Sequence, residues 1–110
     1  MKQAYLATGI IAVGVFGLIL WTRPSISCHP NVIYRGEPTT VRWRNFTEGE
    51  PLILTIYYFV DELDSITLFV GSGALFIPGT TTEYLSPGEY TFVAEQPSVN
   101  KSARTVLTIK

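Results

Sequence analysis

The chain has 110 residues, one Cys, one His and a formal net charge of −1; 46% of it is hydrophobic and 15% is charged. That length suits one ordinary domain rather than two, and so little charge excludes a disordered chain. The Cys and His counts exclude a disulfide framework, a Cys-rich zinc site and a paired-His metal site, and the near-neutral balance gives no electrostatic grip on nucleic acid.

The apolar content is concentrated at the start. Between Lys2 and Arg23 no residue is charged. Twenty residues at about 1.5 Å each make a helix about 30 Å long, the thickness of a bilayer's hydrocarbon core. Tyr5 and Trp21 stand at its ends, where amphipathic aromatics favour the lipid–water boundary, and Pro24 stops it. Residues 1–24 are therefore expected to form a transmembrane signal-anchor helix. A pilin-type N-terminal helix and a cleaved signal peptide are the competing readings, the latter disfavoured because Trp21, Arg23 and Pro24 stand where a small-x-small cleavage site belongs. Ala4, Thr8 and Ala12 recur every four residues, and Gly14 and Gly17 add further small side chains. Such residues let helices approach closely in lipid, although Gly and Ala are also common in any span.

From Ser25 onward short β-rich runs alternate with Pro, Gly and Asn. A broken first strand is expected at 25–28 and 32–34, interrupted by His29-Pro30-Asn31. A second is expected at 39–45, with Val41 and Trp43 facing one way and Arg42 and Arg44 the other. Others follow at 52–60, 65–70, 74–77, 80–85, 90–96 and 103–109. Asp61, Glu62 and Asp64 read as a turn. Seven or eight strands with turns every 8–12 residues are the spacing of a β-sandwich. Its expected core is Val41, Trp43, Leu54, Ile56, Leu68, Tyr90, Phe92, Val106 and Leu107, although Val106 and Leu107 cannot both face inward.

Thr-Thr-Val-Arg-Trp at 39–43, followed by the Tyr-bearing run at 52–60, resembles the second and third strands of fibronectin type III and related immunoglobulin-like domains. Leu-Ser-Pro-Gly-Glu-Tyr at 85–90 resembles their corner before the penultimate strand. The resemblance covers residues 27–110. It implies that 25–110 form an all-β immunoglobulin-like sandwich, that the Tyr90 hydroxyl bonds back to nearby backbone, and that the module displays or contacts rather than catalyses.

The residues point to no enzyme, no cofactor, no metal and no small-molecule substrate. His29 stands beside Pro30 with no evident triad partner. Cys28 reads as a buried thiol, with an intermolecular disulfide or a lipid attachment as alternatives. The acidic run lacks the spacing of a calcium loop. Arg42 and Arg44 are expected to pair with acidic neighbours across strands. The runs at 52–60, 66–70 and 74–77 are apolar on both faces, so either the chain covers them or a partner does; Tyr57, Phe59, Phe69 and Phe76 are the expected contact residues. The sequons at Asn45 and Asn100 are possible glycosylation sites and, with the fold, favour an extracytoplasmic C-terminal domain. The expected protein is a single-pass, membrane-anchored structural or assembly subunit of a virion, surface layer or filament, partnered by the membrane and by other subunits in a homo- or hetero-assembly. An accessory subunit of a larger membrane enzyme or transport complex is the alternative, and a pilin-like filament subunit the third.

Overall fold

The structure, a computed structural model, describes residues 23–110. The expected anchor helix and its packing residues Ala4, Thr8, Ala12, Gly14 and Gly17 lie outside the described residues. Among those described, no helix is long and apolar enough to cross a membrane.

Eight strands form two sheets. β1 (Ser25–His29), β3 (Thr39–Arg44) and β6 (Gly73–Ile77) make one, in the order β1-β3-β6. β2 (Val32–Ile33), β8 (Lys101–Ile109), β7 (Gly88–Gln96), β4 (Leu52–Tyr58) and β5 (Asp61–Leu68) make the other, in that order. All pairings are antiparallel except β2 with β8.

Side-chain alternation explains the layering. In β3 the residues Thr39, Val41 and Trp43 are buried while Arg42 and Arg44 are exposed, as the period of two requires. In β7 the residues Tyr90, Phe92, Ala94 and Gln96 face inward. Together with Ile26, Cys28, Leu52, Leu54, Leu107 and Ile109 they fill the space between the sheets. In β8, Leu107 is the inward residue and Val106 is 41% exposed on the outer face, so Val106 leaves the expected core. Ile56 and Leu68 are only partly buried but pack against the core.

The run at 52–60 is apolar on both faces because β4 is a central strand, between β5 and β7. Leu52 and Leu54 face the core. On the outer face Thr55 is buried beside Ser65 and Val93, flanked by half-buried Ile53 and Tyr57. Much of that apolar surface is thus covered by the chain itself.

Three expectations about elements are corrected. The acidic residues Asp61, Glu62 and Asp64 lie in β5, not in a turn, and β5 ends at Leu68. The reversal occurs one step earlier, at Phe59-Val60, since Tyr58 already pairs with Asp61. The segment expected as a strand at 80–85 instead begins with one helical turn, Gly79–Thr82. There the Thr82 hydroxyl donates to the Glu37 carbonyl at 2.8 Å and accepts from the Gly36 N–H at 3.1 Å, pinning the crossover between the sheets.

Candidate interaction site

Strand direction sorts the loops into two ends. Near the start of β1 lie residues 23–24, 45–51, 69–72 and 97–100. At the opposite end lie the 34–38 turn, the 59–60 reversal and the 78–87 crossover.

The far end carries several exposed apolar side chains. Phe59 is 68% exposed and Val60 89%, with Tyr84 at 81% and Tyr34 at 63%. Phe59 adopts φ of 55°. A bulky side chain rarely enters this left-handed region, and two-residue reversals usually place Gly, Asn or Asp there. Side-chain contacts tie the scaffold beneath together. The Tyr58 ring lies 4.8 Å from Tyr90 and 4.5 Å from Phe59, and its hydroxyl donates to the Pro87 carbonyl at 2.9 Å. Arg35 Nη2 donates to the Glu83 carbonyl at 2.9 Å, tying the Tyr34 turn to the Tyr84 segment. Glu37, Asp61, Glu62, Glu83 and Glu89 surround this end, and all are exposed.

The four expected contact residues are not one surface. Phe59 is at the far end. Tyr57 is half-buried on the outer face of β4, Phe69 is in the loop at the near end, and Phe76 is on the outer face of β6 opposite Thr40. Sequence reasoning missed Val60, Tyr34 and Tyr84 as companions of Phe59. The available signal was negative: an apolar run reverses with no Gly, Asn or Pro to mark the turn.

Arg42 and Arg44 do not pair with acidic neighbours. Their cross-strand partners are Ser27 and Ala74 for Arg42 and Ser25 for Arg44, so no carboxylate lies opposite either one. Asn45 and Asn100 both sit at strand boundaries with positive φ, 67° and 55°, a conformation Asn tolerates. The Asn45 side-chain amide donates to the Arg23 carbonyl at 3.1 Å. Both asparagines thus have a backbone role apart from any glycan.

Cys28 is buried and free, and burial pushes its thiol up to about 11. It is therefore a neutral core side chain at physiological pH, in keeping with the expected buried thiol. His29 is exposed at the end of β1. Among the described residues, no three of His, Cys, Asp and Glu converge as a metal site would need. Between β5 and β6 an apolar cavity of about 240 Å³ is lined by Ile56, Leu63, Leu75, Ile77 and Tyr90, with Asp64 at its wall. An inward-facing carboxylate on an edge strand discourages another strand from pairing there.

No protein-family model matches the sequence, and no curated protein matches it. Several solved structures match it. CHIR-AB1, an immunoglobulin-like receptor, superposes over 80% of this chain and 98% of its own, with a TM-score of 0.50 and 13% identity. The CARDB domain of the PF1109 protein from Pyrococcus furiosus covers 79% of this chain and 90% of its own, with a TM-score of 0.44 and 14% identity. The described part of the chain is an immunoglobulin-like β-sandwich.

Proposed function

We propose that this protein is a single-pass membrane protein whose immunoglobulin-like domain, held outside the membrane by the uncharged run at 3–22, makes protein contacts through its far end. It acts as a non-enzymatic structural or assembly subunit, in a virion, a surface layer or a filament. The observation that carries the contact site is Phe59, an exposed aromatic in left-handed backbone at a loop tip. Such strain persists where the surroundings enforce it and clusters at functional positions. Folding alone gains nothing from leaving Phe59 and Val60 in water.

The anchor reading rests on the sequence: a membrane-length run without a charge, aromatic at both ends, followed at once by Arg23 and Pro24. The test is native electrophoresis of mild-detergent extracts from the protein's own cells, comparing wild type with Phe59→Gly/Val60→Ser. An assembly larger than one chain, lost in the variant while its domain melts normally, supports the proposal. An assembly indifferent to both substitutions, or a chain that always migrates alone, contradicts it.

A further inference from the structure

The two ends of the sandwich differ in charge: the near end is close to neutral and the far end is acidic. Around the near end are Arg23, Arg44 and Lys101, with Arg42 one pleat further along the outer face of β3. Its carboxylates are Glu48 and Glu50 in the loops and Glu95 on the outer face of β7. Glu48 accepts from the Gly71 N–H, and Glu50 accepts from the Ser98 hydroxyl at 2.9 Å; both donors are neutral, so both carboxylates keep their charge while bonded within the domain. The guanidinium groups of Arg23, Arg42 and Arg44 meet no carboxylate among the described residues. Lys101 donates to the Asn45 carbonyl at 3.4 Å. The far end has Glu37, Asp61, Glu62, Glu83 and Glu89 against Arg35 and Lys110.

Apolar side chains stand beside the unpaired arginines. Phe69 is 58% exposed and Val70 44%. Their loop is fixed: the Gly49 N–H donates to the Phe69 carbonyl at 3.0 Å, and the Trp43 indole N–H to the Val70 carbonyl at 3.3 Å. It is joined to the chain's entry through Asn45, whose N–H donates to the Ser72 hydroxyl and whose amide donates to the Arg23 carbonyl. The uncharged run at 3–22 ends one residue before Arg23.

We infer that the near end of the domain rests on an anionic lipid surface, with Arg23, Arg42 and Arg44 against lipid phosphates and Phe69 and Val70 at headgroup depth. The inference rests on the membrane-anchor reading and adds a fixed posture to it. Guanidinium pairs well with phosphate, and basic residues are drawn to the negative surface within a Debye length. The acidic far end is repelled by the same surface. With the outer-face arginines drawn to the lipid and the acidic end repelled, the sandwich stands upright and presents Phe59 and Val60 away from the lipid.

The test uses the full chain in vesicles of phosphatidylcholine containing about a third phosphatidylglycerol. A fluorophore is attached at Ser102→Cys, at the near end, or at Glu62→Cys, at the far end; Cys28 is buried and stays unlabelled. Quenching by headgroup-nitroxide lipid is read alongside flotation of the protein with the vesicles. The expected result is flotation in every case and quenching at position 102 about threefold or more above that at 62, with the difference falling in Arg42→Gln/Arg44→Gln and at high salt. Flotation with equal quenching at the two positions overturns the posture and leaves the anchor standing; the arginines then face an acidic protein instead. Near-end quenching indifferent to the arginine substitutions also overturns it, since the tether alone then sets the distance. Failure to float overturns the anchor reading and the posture with it.

Discussion

The Tyr90 hydroxyl donates to the carbonyl of Ser86, four residues upstream, at 2.6 Å. This bond closes the corner that leads from the crossover into β7, and it holds the Tyr90 ring in the core against Tyr58. Tyr90→Phe keeps the ring and deletes the bond. It is expected to cost about 1 kcal/mol, read as a lowered denaturation midpoint with unchanged m. Tyr58→Ala also removes the Pro87 bond and the ring stack, and costs about 2–4 kcal/mol.

Gln96 is a fully buried amide at the end of β7. Its Nε2 donates to the Thr47 carbonyl at 2.8 Å and the Glu50 carbonyl at 3.2 Å, while its Oε1 accepts from the Thr47 N–H at 2.8 Å. One side chain thereby satisfies three backbone groups of the 45–51 loop. Gln96→Leu matches the surrounding polarity of the core but strands those groups. The expected loss is about 2–4 kcal/mol, with faster hydrogen exchange at Thr47 than elsewhere.

Phe59→Gly separates folding from contact. It relieves left-handed strain of about 1–2 kcal/mol and loses a ring contact of about 0.5–1.5 kcal/mol with Tyr58. Domain stability is therefore expected to stay within about 1 kcal/mol of wild type. Loss of assembly by native electrophoresis, with a melting temperature within about 8 °C of wild type, is the predicted pattern.

Burial pushes the Cys28 thiol from 9.0 up to about 11 and raises the Tyr90 phenol from its usual 10.0. Between pH 9 and about 11 the unfolded thiol has lost its proton while the folded one keeps it, so the unfolded state binds fewer protons and stability falls as pH rises. Thermal melts across that window should decline. Cys28→Ala lowers stability at neutral pH by about 1 kcal/mol through the lost packing, yet declines less steeply over the same window.

Much of the sandwich was legible because its strands alternate. Val41 and Trp43 against Arg42 and Arg44 fixed the orientation of β3, and Leu-Ser-Pro-Gly-Glu-Tyr announced the Tyr90 corner. Position 106 was ambiguous because Val and Leu are adjacent and either can face a core; only the register of β8 on β7 decides. The reversal at Phe59-Val60 was hidden because it uses a left-handed Phe in place of a turn residue, which pushed the expected turn onto the charged residues behind it. The helical turn Gly79–Thr82 was hidden because Thr-rich sequence favours strands locally, whereas the tertiary bonds of Thr82 to Gly36 and Glu37 hold it otherwise. The contact surface was the least legible part. Tyr34, Phe59 and Tyr84 are far apart in sequence, and only sheet order brings their loops to one end.

Membrane attachment through the uncharged run at 3–22 is tested most directly by partition of the full chain after an alkaline wash of membranes. The protein should remain in the membrane pellet and leave it only with detergent, whereas Val13→Arg, which costs about 2.5–3.5 kcal/mol of insertion at mid-span, should shift part of it to the supernatant. A wild-type chain recovered as a monomer in the wash, without detergent, would contradict the account.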